Sequence, residues 1–432
     1  MRFKANMPRL SRLMTRGALC VSAWLVSLSN HVSAATGFDP VAATEAYLAK
    51  MSPEARARSD AYFEGNYWLI LINLIVSLLL SWLLLKTGFA AGLRARAERW
   101  ASRTFVQTWL FVVLFSIVSW ALNLPLDYYE GFWREHFYQM STQTAGAWFG
   151  DKVKGLVISL LMVPLLVALL YAGIRRFQQR WWIVASMVTP FLLLFFIVLA
   201  PVFLAPVFNK YVPLADPKVR DPILSMARAN GVPADNVYEF DASRRTKRVS
   251  ANVSGAFNTI RVSLNDNLLT RCPPEGVMAV MGHELGHYVL NHVHRHVVYL
   301  SLLFALGFWF TNWFFHFALA RWGAAWGVRG IGDIAGLPLV GMGLGIFLFL
   351  ATPIRNTIIR VAEVEADYYG LNSARQPDAM ADAFLLLGEY RKMHPGKWEE
   401  IVFFDHPSGY NRILACMRWK AEHLDELAAA KK

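Results

Sequence analysis

Residues 281–288 read Met-Gly-His-Glu-Leu-Gly-His-Tyr, a His-Glu-x-x-His sequence around which the rest of the chain must fold. On an α-helix, His283 and His287 project from the same face about one turn apart. Two neutral imidazoles with this separation can bind one Zn²⁺ ion. Glu284 lies one position round the helix, where it can act on a water at the metal without being a ligand. The pattern predicts a metallopeptidase site on a helix that begins near Pro274, with a surface helix carrying two spare histidines as the alternative.

The composition is typical of an integral membrane protein. The chain has 432 residues, of which 55% are hydrophobic and 17% are charged, and its mean hydropathy is +0.33. Its three cysteines lack close spacing, which excludes a cysteine-based zinc site and a disulfide framework. The net charge of +12 does not indicate nucleic acid, because Lys and Arg lie largely in short loops between apolar spans. We therefore expect the lipid bilayer, and not nucleic acid, as a partner.

The first 34 residues have the composition of a secretory signal. A basic region is followed by a short apolar stretch at residues 18–28 and by Val32-Ser33-Ala34, a small-residue cleavage site. We expect residues 1–34 to be a signal peptide, with an uncleaved signal anchor as the alternative.

Six further apolar segments approach or exceed the roughly 20 residues that cross a bilayer as a helix. They cover residues 67–85, 104–122, 153–174, 181–208, 297–320 and 337–354. With residues 1–34, the sequence predicts a mainly α fold, a polytopic membrane helical bundle of about six or seven spans. Arginine-rich loops follow the first and third spans, and the positive-inside rule makes these loops cytoplasmic.

The polar stretch at residues 209–296 predicts the start of a second domain. It contains an amphipathic helix over residues 216–230 and short strands at 237–240 and 260–264, with a strand-like segment near 250–257. We therefore expect an N-terminal membrane domain over residues 35–208. A zincin-like metallopeptidase domain with a small β-sheet then covers residues 209–432, including the last two spans.

A catalytic zinc site needs a third protein ligand, and the histidines just after the motif are poorly placed for this. On a continuous helix, His292 would lie about 180° round from His283. His294 would lie about 16 Å further along the axis, and His296 further still. These three histidines are expected at the membrane interface.

Residues 360–367 read Arg-Val-Ala-Glu-Val-Glu-Ala-Asp and place two carboxylates on one helical face. Glu363 and Asp367 are at i and i+4, whereas Glu365 points away. One carboxylate can bind zinc while the other accepts a hydrogen bond from a ligand imidazole. We expect Glu363 to be the third ligand and Asp367 the orienting group, with a solvated acidic helix as the alternative.

The combination of His283-Glu284-x-x-His287 with Glu363-x-x-Ala366-Asp367 resembles the M48 metallopeptidases, and more closely the Ste24-type (type I) CAAX prenyl proteases. The resemblance covers most of the chain. It implies that Glu363 is the third zinc ligand. It also implies that the membrane helices enclose a water-filled chamber with zinc at its edge.

Two further segments resemble this family less specifically. Residues 405–408, Asp-His-Pro-Ser, precede Asn411-Arg412 and resemble a late His-Pro motif near the active site. The resemblance implies that His406 stabilises the oxyanion, a loop histidine being the alternative. Arg412 is expected to bind substrate or to orient a carboxylate. Residues 250–255 resemble the strand that pairs with the substrate backbone, and Asn252 is the expected substrate-binding residue there.

These features predict zinc-dependent peptide hydrolysis by an enzyme similar to the CAAX proteases. Zn²⁺ would be held by His283, His287 and Glu363, and Glu284 would act as general base. The expected substrates are peptides or polypeptides, membrane-associated or lipidated. The alternatives are a quality-control protease acting on unmodified membrane proteins and a non-enzymatic zinc-binding membrane scaffold. The intact Glu284 argues against the scaffold.

Departures from the eukaryotic members favour a bacterial relative in the inner membrane. Ile359 occupies a position where those members usually have serine, and the final residues 430–432 do not form their retrieval signal. A prenylated substrate is therefore in doubt. If all four early spans cross, residues 209–296 lie in the periplasm, the orientation that we expect, whereas eukaryotic members place the peptidase on the cytoplasmic face.

Overall fold

The protein is mainly helical and contains one small β-sheet, which confirms the predicted fold class. The computed structural model describes residues 37–255 and 260–430. The predicted signal at residues 1–34 lies outside the described residues.

Eight helices make up the described N-terminal half. They are α1 (Pro40–Leu48), α2 (Pro53–Lys86), α3 (Phe89–Trp100), α4 (Thr104–Tyr128), α5 (Arg134–Phe137), α6 (Ala145–Phe177), α7 (Trp181–Phe203) and α8 (Ala205–Phe208). A buried apolar cluster joins α2, α3, α4, α6 and α7 to the later membrane helices.

Ten helices follow in the described C-terminal half. They are α9 (Pro217–Ala229), α10 (Asp266–Arg271), α11 (Pro274–Val289), α12 (His292–Trp326), α13 (Leu337–Leu350), α14 (Thr352–Ala374), α15 (Pro377–Leu387), α16 (Lys397–Phe403), α17 (Gly409–Glu422) and α18 (Leu424–Ala429). The His-Glu-x-x-His motif lies on α11, which begins at Pro274 as predicted.

Length and composition qualify four helical segments of the described chain as candidate membrane spans. These are Pro53–Lys86, Thr104–Phe137, Ala145–Phe208 and His292–Trp326. A fifth candidate is the pair Ile334–Leu350 and Thr352–Ala374, which is bent by 55°. All six predicted apolar segments lie within these candidates. Ala145–Phe208 contains two of the six segments, α6 and α7, between which the backbone at Gln178 departs from helical geometry (φ 49°, ψ −115°).

The β-sheet has four strands and adjoins the motif helix. The strands are β1 (Tyr211–Pro213), β2 (Val237–Phe240), β3 (Ala251–Ser254) and β4 (Arg261–Asn265), in the order β1-β2-β4-β3. β2 and β4 are parallel, while the other two pairings are antiparallel. Buried Val237 and Val262 belong to the same apolar core as Met281 of α11. The sheet thus packs against the motif helix, and β3 is the edge strand of the sheet.

Two glycines allow α11 and α14 to approach each other closely. A Cβ atom on Gly282 would lie 3.1 Å from the Cα of Gly370, and a Cβ on Gly370 would lie 2.8 Å from the backbone nitrogen of His283. Contacts this short cannot be relieved by moving a flexible side chain, because the contacting atoms belong to the backbone. The crossing therefore brings the helix that carries Glu363 directly against the helix that carries the two motif histidines.

The motif helix ends, and a new helix begins, directly after the motif. α11 ends at Val289, Asn291 adopts the left-handed conformation (φ 56°, ψ 36°), and α12 begins at His292. The expectation of one continuous helix through His292 was wrong. Asn tolerates left-handed backbone and is a common residue just beyond a helix end, so the break has a local cause.

The Gly370→Ala variant should be less stable because its new methyl group must push α14 away from the backbone of α11. We expect a loss of about 1–3 kcal/mol, as for other overpacked sites, measured by thermal unfolding in detergent. Gly155→Ala on α6 is the matched control, since a Cβ there meets nothing within 4 Å. Equal unfolding temperatures for the Gly370→Ala protein and the wild type would contradict the crossing.

Candidate active site

Three side chains from α11 and α14 converge at the crossing. His283 Nε2 lies 3.1 Å from His287 Nε2. Glu363 places Oε2 3.4 Å from His283 Nε2 and Oε1 3.4 Å from His287 Nε2. Ligand atoms at about 2.0–2.1 Å from a tetrahedral zinc ion are about 3.3 Å apart. Glu363 Oε2 is buried and has no hydrogen-bond partner among the described residues, so the donor set fits a zinc ion.

A buried ion pair orients the first of these histidines. His283 Nδ1 is 2.8 Å from Asp367 Oδ1, so a proton on Nδ1 leaves the Nε2 lone pair facing the cluster. Arg412 donates to Asp367 Oδ2 at 2.8 Å and also to Oδ1. Asp367 is 3% exposed and Arg412 5% exposed. Of the two roles expected for Arg412, this geometry corresponds to the orientation of a carboxylate.

The two histidines have opposite pKa shifts. Burial by itself lowers the pKa of His283, but the nearby carboxylates of Asp367 and Glu363 outweigh it and raise that pKa to about 10. Burial, followed by the charge of His283, lowers the pKa of His287 to about 3. Near neutral pH, His283 is therefore a charged imidazolium and His287 a neutral imidazole, and a metal ion that binds both must displace one proton from His283.

Glu284 lines a cavity of about 210 Å³ beside the cluster. The other lining residues include His283, Glu363, Tyr390, Arg391, His406 and Arg412. Burial disfavours the carboxylate form and raises the pKa of Glu284 to about 7. A carboxyl group with a pKa near neutrality can both accept and release a proton during a reaction.

His406 reaches the cluster from the loop between α16 and α17. Its Nε2 lies 3.2 Å from Glu363 Oε2, and its Nδ1 lies 2.8 Å from Asp405 Oδ1. Arg360 of α14 donates to the carbonyl oxygens of Glu400 and Phe404, which ties the preceding segment to α14. The structure thus brings His406 to the cluster although it lies 43 positions after Glu363 in the chain.

Asn252 is not among the residues that line this cavity. It lies on the edge strand β3, opposite Ser263 of β4. Its neighbours Ser250 and Ala251 line the cavity instead. β3 therefore runs beside the cavity, while Asn252 itself alternates to the other face of the strand.

His292 contacts the cluster, contrary to the expectation of an interfacial histidine. Its Nδ1 lies 2.8 Å from His287 Nδ1, and its Nε2 lies 3.0 Å from Glu365 Oε2. The prediction failed because α11 ends before His292, and Asn291 was the signal that could have revealed the break. Glu365, expected to point away from the ligand face, contacts His292. His294 is exposed.

Two segments of the chain match known protein families. Residues 41–210 match the family described as CAAX prenyl protease N-terminal, five membrane helices. Residues 213–420 match peptidase family M48.

Relatives with similar sequences align with between about half and most of this chain. An uncharacterised metalloprotease of Bacillus subtilis is 29% identical over 84% of this chain and 85% of its own length. CAAX prenyl protease 1 of Saccharomyces cerevisiae is 30% identical over 46% of this chain and 44% of its own. The crystal structure of Ste24p from S. mikatae superposes with a TM-score of 0.71 at 21% identity, over 95% of this chain and 100% of the other.

Replacement of Glu363 by Ala should abolish stoichiometric zinc binding, because it removes one of three ligands. Glu284→Gln is the matched control in the same cavity and should bind zinc at the wild-type ratio, since Glu284 is not in the ligand cluster. Zinc content after dialysis, measured by mass spectrometry, distinguishes the two variants. A Glu363→Ala protein that retains one zinc ion per chain would contradict the ligand set.

Proposed function

Because the chain belongs to peptidase family M48 and is a membrane metalloprotease, we propose that it is a zinc-dependent endopeptidase acting on membrane-associated peptides. One observation carries the proposal. Ligand atoms of His283, His287 and Glu363 lie within 4.8 Å of one another, and Glu284 lines the cavity beside them. Metal binding alone does not require that fourth residue.

The proposed mechanism assigns the proton transfers to Glu284. When bound by His283, His287 and Glu363, Zn²⁺ supplies Lewis acidity that polarises a carbonyl group and makes water a stronger acid. Glu284 accepts a proton from the attacking water and delivers it to the leaving amine. Its raised pKa suits both steps.

Two further residues complete the proposed site. Asp367, held by Arg412, keeps a proton on His283 Nδ1 and so keeps the other ring nitrogen available as a ligand. His406 lies at the edge of the cluster, 3.2 Å from Glu363 Oε2. From there we propose that it donates a hydrogen bond to the oxygen on which negative charge develops.

The proposed substrate binds as an extended strand near the membrane. β3 is an edge strand beside the cavity, and an extended peptide can add to such an edge through main-chain hydrogen bonds. Both ligand helices adjoin candidate membrane spans, since α11 leads into α12 and α14 continues from α13. This arrangement supports substrates held at the bilayer, whether lipidated, as the names of the CAAX relatives suggest, or unmodified.

We further propose that the site faces the periplasm of a bacterial inner membrane. The ligand cluster lies at the start of α12. The 35 residues of α12 lead from there to the far end of this helix, near Trp326. There the loop around Asp333 meets Arg94 of α3, the helix between two candidate spans, and Arg175 near the end of α6. Residues 86–103, 175–180 and 321–333 hold ten Lys or Arg and only two carboxylates. The positive-inside rule assigns such an end to the cytoplasm.

The Glu284→Gln variant should lose peptidase activity by at least about 100-fold, because general-base catalysis contributes 10²–10⁴-fold, while zinc content stays at the wild-type ratio. Cleavage of a quenched fluorescent peptide by zinc-loaded protein in detergent measures this. Glu275→Gln, an exposed residue on the same helix, should retain wild-type activity. Full activity of zinc-loaded Glu284→Gln protein would refute the assignment.

Reporter fusions test the orientation. Alkaline phosphatase is active only in the periplasm, so a fusion after Asn230 should be active and a fusion after Arg329 should not. A fluorescent protein that folds only in the cytoplasm should give the reverse pattern. The opposite result at both positions would place the peptidase on the cytoplasmic face.

A further inference from the structure

We propose that His292 is a positioning residue that fixes the ring tautomer of His287, and that Glu365 and Arg295 fix His292 in turn. The inference rests on the proposed zinc site of His283, His287 and Glu363. It adds a hydrogen-bonded chain on the side of His287 that faces away from the cluster.

The four groups follow one another at hydrogen-bond distance. His287 Nδ1 lies 2.8 Å from His292 Nδ1, and His292 Nε2 lies 3.0 Å from Glu365 Oε2. Arg295 Nη1 lies 2.7 Å from the same carboxylate oxygen. His292 is 1% exposed, so water does not compete for its ring nitrogens.

Only one arrangement of protons satisfies every member of this chain when a metal is bound. His287 Nε2 faces His283 and Glu363 and must offer a lone pair there, so its proton lies on Nδ1. That N–H then donates to His292 Nδ1, which must carry a lone pair. The proton of His292 consequently lies on Nε2, from which it donates to the carboxylate of Glu365.

Glu365 selects this arrangement because a carboxylate only accepts hydrogen bonds. Arg295 Nη1, which can only donate, lies 2.7 Å from the same carboxylate oxygen, so this oxygen acts as an acceptor. With Glu365 acting as acceptor, His292 Nδ1 has no proton and presents an acceptor to His287. The effect of the carboxylate is thus relayed to the metal ligand through one neutral imidazole.

The two proposed metal histidines are therefore oriented by different means. His283 is held directly by Asp367, whereas His287 is held through His292. Both routes lead to α14, which supplies Glu363 to the cluster, Asp367 to one imidazole and Glu365 to another. This explains why a carboxylate that points away from the ligand face still belongs to the site.

The break between α11 and α12 makes the contact possible. On a continuous helix, the side chains of His287 and His292 are five residues, about 500°, apart, which separates their directions by about 140°. The left-handed backbone at Asn291 redirects the chain, so that the first residue of α12 turns its ring back towards the last turn of α11.

The test uses full-length protein in detergent, with zinc affinity measured by chelator competition and the visible spectrum of the Co²⁺-substituted protein as a second readout. His292→Ala should weaken zinc binding about 10–100-fold, as loss of such outer partners typically does, and should shift the Co²⁺ bands. His292→Asn should restore most of the affinity, because its amide oxygen can accept from His287 Nδ1 at the position of the lost ring nitrogen. His294→Ala, on the same helix but exposed, should bind like the wild type.

Wild-type affinity and an unchanged Co²⁺ spectrum in the His292→Ala protein would overturn the inference while the zinc site stands. Equal weakening by His292→Ala and His292→Asn, with a lower unfolding temperature of both metal-free proteins, would also overturn it, since this pattern indicates a packing role. A wild-type protein that binds no zinc would instead refute the site on which the inference depends.

Discussion

The backbone contact between Gly282 and Gly370 determines the geometry on which the whole site depends. The three expected ligands come from two helices, and Glu363 lies 76 positions after His287 in the chain. Their ligand atoms nevertheless lie 3.1–3.4 Å apart. Such spacing requires the two helix axes to lie close together. A side chain larger than hydrogen at Gly282 or Gly370 would clash with the backbone of the facing helix and prevent this approach. The glycines thus act on the chemistry through distance, without contributing any functional group.

Burial determines the protonation of the carboxyl groups in this site. A carboxylate removed from water is costly unless it is paired or hydrogen-bonded, and the described site pairs Asp367 with Arg412 and His283. Among the described residues Glu284 has no comparable partner, and burial raises its pKa to about 7. Neighbouring carboxyl groups on facing helices therefore differ in protonation because their partners differ, which is how one small cavity can contain both an anionic ligand and a proton acceptor.

Local sequence patterns predicted the features that depend on one regular helix or strand. The i, i+4 pairs His283/His287 and Glu363/Asp367 lie on common faces, and the strand at residues 237–240 was predicted with its observed bounds. The sequence patterns did not predict features that depend on the interruption of a helix or strand. His292 was misplaced because the left-handed Asn291 ends the helix, and β1 was missed because three residues ending in Pro213 carry little pattern. The approach of His406 to Glu363 is a tertiary contact, so only family resemblance indicated it.

The junctions that link the ligand helices to the bilayer have a mechanical consequence. α11 and α12 are separated by a two-residue link, and α14 is bent by 55° from α13. A helix whose apolar length does not match the hydrocarbon thickness responds by tilting. Tilt of α12 would displace the ring of His292, which contacts His287. Tilt of α13 would rotate the start of α14, the helix that carries Glu363, Glu365 and Asp367. Hydrophobic mismatch would thereby reach the proposed zinc site, so we expect the geometry of that site to depend on lipid chain length.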